Sequence, residues 1–214
     1  LSIAIAPGIS SGEQGPDTFN TQAVNYVNLI RSLLSLRDVA GSKQPISDIL
    51  GKIRARIRAL VSIHRFLTRR GSAKDVDTSE FFEFWEQELR ATLDSCDQTH
   101  TRLQVMSQPF PLPENLVLQT ALITHELLLA FACRESESLN DSDLSFGIHE
   151  ENGTVAIRLH YLDGRENAAP PTPDPLGLVL VRSLVQSLSG YLEIPGADAA
   201  ARVSLPMQIT PVAE

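Results

Sequence analysis

The chain has 214 residues, 43% of them hydrophobic, and a formal net charge of −8. That is length enough for a substantial core in one domain or two small ones, and an acidic balance argues against general nucleic-acid binding, which needs a basic surface for phosphate contacts. No apolar run reaches the roughly 20 residues that a bilayer-spanning helix requires, so no membrane segment is expected. The opening LSIAIAPGIS lacks a basic flank and reads as the start of a linker, not a signal peptide. Cys96 and Cys133 form no CxxC pair, a usage that suits a reducing cytoplasm and argues against a zinc site or disulfide scaffold.

SGEQGPD at 11–17 is turn-rich and closes a linker over 1–17. From Thr18 to about Ala40, Val24, Val27, Ile30, Leu33, Leu34 and Leu36 recur at helical spacing and predict a first helix. GSKQP breaks it. A second helix is predicted over Ile46 to Arg70, with Ile46, Ile49, Leu50, Ile53, Ile57, Leu60, His64 and Leu67 on one narrow stripe that places His64 in a core, and with Gly71 as its stop. Two long helices and a short turn make an antiparallel hairpin over 18–72. So narrow a seam covers little by itself, and a second copy would close it into a four-helix bundle. Seven of the 18 Lys and Arg residues fall between Lys52 and Arg70, which gives either a solvated helix face or a docking surface for an acidic partner.

Composition changes after Gly71, and 73–214 read as a separate unit. DTSEFFEFWEQELRATLDSC predicts a third helix with Thr78 or Ser79 as its cap. RLQVM predicts a strand, and QPFPLP a proline-rich entry to an apolar helix over 116–135 that contains His125 and Glu126. LSFGIHEENGTVAIRLHYL alternates on both sides of Asn152 and Gly153, a strong hairpin signal. AAPPTPDP cannot be regular structure. LGLVLVRSLVQSLSG predicts a helix ended by Gly190, and YLEIP and ARVSLPM two last strands. The expected fold is α+β, a helical hairpin followed by an α/β sandwich with helices on one face of a mixed sheet.

This order resembles the catalytic core of a bacterial sensor histidine kinase, a dimerisation hairpin followed by an ATP-binding domain of the Bergerat type. VNLIRSLLSL and IRARIRALVSIHRFLTRRG are similar to the subfamily whose first helix begins His-Arg-Val-Lys-Asn-Asn-Leu and whose second carries Arg-Ile-x-Ala-x-x-x-Ile-His. LITHELLLAFACRE resembles the family's Asn box, and LGLVLVRSLVQSLSGYLEI its second glycine box. The likeness covers roughly residues 20–207, and the order and spacing of the motifs carry it. It implies a cytoplasmic homodimer that meets a response regulator or another histidine kinase, and it implies ATP with magnesium.

The departures bear on activity. Asn20 and Thr21 fall where the phospho-accepting histidine would stand, and no histidine occurs before His64. Neither an amide nor a hydroxyl forms an equivalent phosphoramidate, so ordinary autophosphorylation is not expected. The Asn box keeps Glu126 but has His125 and Ala130 at its asparagine positions, poor substitutes for hard oxygen ligands to magnesium. In the first glycine box LDGRE puts Leu162 at the adenine-binding Asp, with Asp163 one place on, keeps Gly164, and sets Glu166 near the phosphates. Gly177 and Leu178 survive from the second glycine box. His125, Glu126, Asp163, Gly164, Gly177 and Leu178 are therefore read as a vestigial nucleotide site, with no cofactor and no metal expected. His125 and Glu126 are not a ready dyad, because neighbours on a helix do not face each other.

Two functions remain. One is a catalytically degenerate homologue that binds a regulator or partner kinase through Gln22, Asn25, Asn28 and Arg31, and acts as a scaffold, by sequestration, or by assisted dephosphorylation. In the last case Asn20, Thr21, Gln22 or Asn25 positions the attacking water. The other is an ATP-binding phosphotransferase with a noncanonical acceptor residue.

Overall fold

The computed structural model describes residues 24, 27, 28, 31, 46–70, 75–95, 101–132, 143–162, 175–194 and 201–207. Of the predicted first helix, Val24, Val27, Asn28 and Arg31 are described, and all four are helical and exposed. The elements that follow are α1 (Ile46–Arg70), β1 (Asp75–Asp77), α2 (Thr78–Ser95), β2 (Leu103–Ser107), β3 (Pro111–Pro113), α3 (Glu114–Phe131), β4 (Leu144–Glu151), β5 (Thr154–Tyr161), α4 (Pro175–Ser187), β6 (Tyr191–Glu193) and β7 (Ala201–Pro206). This is the expected α+β fold, with a mixed sheet.

The five-stranded sheet runs β2-β4-β5-β7-β6. β2 pairs with β4 in parallel, and the other pairs are antiparallel. Phe146, Ile157, Leu159, Val203 and Leu205 are buried in the same core as the helices. The β4–β5 hairpin turns through Asn152 at φ 51° and Gly153 at φ 76°, the left-handed pair that a two-residue connection between twisted strands requires. Glu150 Oε1 accepts a 2.7 Å hydrogen bond from Gly153 N across that turn.

Local chemistry departs from the sequence reading in three places. The cap of α2 is Asp77, whose Oδ1 accepts from Ser79 N at 2.8 Å, while Thr78 turns inward, accepting from Phe110 N at 2.9 Å. The PLP stretch is not merely an entry to α3 but a strand on β1, with Val76 opposite Leu112 and both buried. Its prolines are tolerated because a two-stranded ribbon has only edges. At the end of α4 the left-handed residue is Ser189, at φ 53°, and not Gly190. Gly190 is required for space, since a Cβ there would lie 2.7 Å from Ser204 O and 2.9 Å from Leu205 Cδ2.

α1 has two apolar sides. Ala55, Ala59, Ile63 and Phe66 are buried against α2 and α3, whereas Leu50, Ile57 and Val61 are exposed. The predicted stripe is thus split: Leu50, Ile57 and His64, the last read as a core residue, are exposed, whereas Leu60 and Leu67 pack against the common core. The inner face escaped notice because it mixes alanines with Lys52 and Arg56, which are themselves buried. Phe66 packs edge-on to Phe81 at 5.4 Å and stacks on Phe84 at 5.0 Å, so α1 shares one core with the sandwich. Polar contacts fix its antiparallel course along α2: Arg58 and Ser62 both bond Glu88, and Arg70 meets Glu80.

Gly190→Ala is expected to destabilise the fold by about 2 kcal/mol, because the methyl must displace a backbone carbonyl in a packed corner. A denaturant midpoint at the wild-type value would contradict this.

Candidate functional site

α3 is apolar on every side because it is covered on every side. Residues 116–131 are all buried, in contact with α1, α2, α4 and the β1–β3 ribbon. His125 and Glu126 have no exposed surface at all. A charge in such a place must be paired, and the partner is Arg56 of α1. Its Nε donates to Glu126 Oε1 at 2.8 Å and its Nη2 to Oε2 at 2.7 Å, a bidentate fork between groups 70 residues apart in sequence. Burial pushes the Glu126 carboxyl up, but the Arg56 charge, the nearby His125 and the fork itself outweigh it and bring the pKa down to about 2.

His125 turns the other way. Its Nε2 lies 3.2 Å from Thr92 Oγ1 on α2, and its ring is 6.4 Å from that of Trp85. Nδ1 has no hydrogen-bond partner and sits 3.8 Å from Glu126 Oε1. That is too long for a hydrogen bond, so the ring acts on the carboxylate through space. Thr92 Oγ1 also donates to the Glu88 carbonyl at 3.0 Å, so the imidazole is tied to α2 and not to the Glu126 carboxylate. Trp85 Nε1 donates to Thr124 Oγ1 at 3.0 Å, one position before His125. The two side chains named in the opening motif therefore face different helices, as adjacent helical positions do.

The remaining predicted residues are distributed as follows. Gly177 lies against α3, where a Cβ would come within 2.9 Å of the Ala130 methyl and 3.3 Å of its Cα. The two helices touch where only the smallest side chains fit. Leu178, next to it, is half-buried against the common core. Leu162 is exposed at the end of β5, and Asp163 and Gly164 lie outside the described residues, as do Asn20, Thr21, Gln22 and Asn25. Asn28 and Arg31 stand on an exposed helical surface. The structure brings together His125, Glu126, Ala130 and Gly177. Sequence reasoning missed Arg56, Thr92 and Trp85, although Arg56 is the arginine of the Arg-Ile-x-Ala-x-x-x-Ile-His stretch. Among the described residues there is no group of three or more His, Cys, Asp or Glu side chains that could hold a metal ion, and no helix is long and apolar enough to cross a membrane.

The Glu126 carboxyl sets a pH dependence. Its folded pKa of about 2 is below the ordinary 4.5, so the stability it contributes is full above pH 4.5 and is lost as the pH falls towards 2. A shift of that size corresponds to about 3 kcal/mol. Glu126→Gln should lower stability at pH 7 by about that amount and flatten the stability–pH curve between those values. An unchanged acid limb in the variant would show that other carboxylates carry it.

Residues 24–93 match the family model described as "Histidine kinase". No curated protein matches the chain. Among solved structures, the histidine kinase domain of the blue-light activated histidine kinase EL346 from Erythrobacter litoralis is similar over 90% of this chain and 95% of its own, with a TM-score of 0.61 and 14% identity. The longer EL346 structure matches 91% of this chain with a TM-score of 0.64 and 14% identity, and this chain spans 64% of its length. At that identity the likeness is one of fold. Residues 24–93 thus match a histidine kinase family model, and the chain shares the fold of histidine kinase domains.

Proposed function

We propose that this domain is catalytically degenerate and signals by binding, as a homodimer, a response regulator or a partner kinase through its helical hairpin. The observation that carries the reading is what became of the Asn box. Its one retained acidic residue, Glu126, is held in a buried fork by Arg56, and its asparagine positions hold His125, which faces Thr92, and Ala130, which abuts Gly177. A buried imidazole turned to a hydroxyl, a methyl group and a carboxylate already neutralised by a guanidinium are not a donor set for magnesium, which takes hard oxygens in near-octahedral geometry. The residues present do not fit ATP–magnesium, and we derive no phosphoryl-transfer step through it. The sequence adds the missing histidine on the first helix, with Asn20 and Thr21 in its place.

Dimerisation is supported by the outward side of α1. Leu50, Ile57 and Val61 are exposed at helical spacing, and Val24 and Val27 are exposed on the preceding helix, more apolar surface than a lone hairpin leaves to water. A second copy covers such a stripe by packing hairpin on hairpin. Regulator binding is assigned to Gln22, Asn25, Asn28 and Arg31, of which Asn28 and Arg31 are helical and exposed. In assisted dephosphorylation an amide or hydroxyl at Asn20, Thr21, Gln22 or Asn25 would orient water on the regulator's phosphoryl group.

Isothermal titration with ATP and magnesium is expected to show no micromolar binding, and incubation with γ-labelled ATP no label on the protein. Binding together with label incorporation would establish the alternative, a phosphotransferase with a noncanonical acceptor. Sedimentation should give a dimer, which Ile57→Glu converts to a monomer. An excess of the protein is expected to shorten the phosphate lifetime of its phosphorylated regulator or to hold that regulator in a complex, and the absence of both effects would rule the reading out.

A further inference from the structure

We propose that the Arg56–Glu126 pair is a latch that clamps α1 onto α3, so that the second hairpin helix and the sandwich move as one body until this pair is broken. Both groups are buried, and the fork uses both carboxylate oxygens. Ala55 and Ala59 flank Arg56 with side chains small enough to let α1 approach closely. A buried ion pair of this kind is seldom needed for stability alone, because apolar residues of similar size often serve as well. What it adds is discreteness. Rotating α1 by one residue, about 100°, carries Arg56 away from Glu126 and strands two desolvated charges, so intermediate positions of the helix are disfavoured. α1 is also the element that presents Leu50, Ile57 and Val61 on its other side. A displacement applied to that seam therefore meets the latch first. This inference does not depend on whether the domain binds ATP.

Hydrogen exchange of the full chain tests it. In the wild type, α1 amides around Ala55–Phe66 should be protected as strongly as those of α3. In Arg56→Met, which removes the guanidinium from the Glu126 carboxylate, they should exchange about 100-fold faster while β4, β5 and β7 keep wild-type protection. In Arg56→Met/Glu126→Leu, where neither charge remains, α1 protection should return. Unchanged α1 protection in the single variant overturns the proposal, as does loss of protection in α1 and the sheet together. A double variant as loose as the single one traces the release to lost packing and likewise overturns it. Should Arg56→Met fail to fold, Arg56→Lys keeps the charge but not the fork, and a several-fold acceleration confined to α1 is expected.

Discussion

The Arg56–Glu126 pair organises the molecule because it is the place where an all-buried helix admits a full charge. α3 could be apolar throughout, and nearly is. A carboxylate at its centre forces a cation to reach it through the protein, and the route taken runs from α1. Once the guanidinium is in place, α1 must lie flat on α3, its alanines must face inward, and the aromatic contacts of Phe66 with Phe81 and Phe84 follow at the far end. Arg58, Ser62 and Glu88 then fix the helix along α2 from its polar edge.

The same constraint gives Glu126 a meaning that its motif alone does not. In the sequence it stands only as an acidic residue in the stretch that resembles the Asn box. In the folded chain it is a structural anion whose partner comes from a second motif, in the hairpin. Two motifs separated by 70 residues are thereby joined. His125 is held separately by Thr92, and the Trp85–Thr124 bond pins the turn that carries both.

Much of this was legible in the sequence where a signal is local. The Asn152–Gly153 turn, the alternation on β4 and β5, and the span of α1 all rest on periodicity and turn chemistry, and the structure agrees with them. The inner face of α1 was not legible, because burial of Lys52 and Arg56 depends on what covers them and periodicity counts only apolar residues. For the same reason His64, which fits the apolar spacing, was assigned to a core and is exposed. The β1–β3 ribbon was hidden by its prolines, which read as a break although a free edge accepts them. Of the site, the residues of the opening motif could be located, but their partners on α1 and α2 could not, since nothing in a single sequence records contacts across 33 or 70 positions.

That α1 shares its core with the sandwich has a practical side. The end of α1 at Arg70 invites a cut that would yield 73–214 as a minimal fragment. Such a fragment would present Phe81 and Phe84 without Phe66, and a buried carboxylate without its guanidinium. The hairpin's second helix serves the sandwich as a cover, and the shortest piece of this protein suited to expression begins ahead of Ile46.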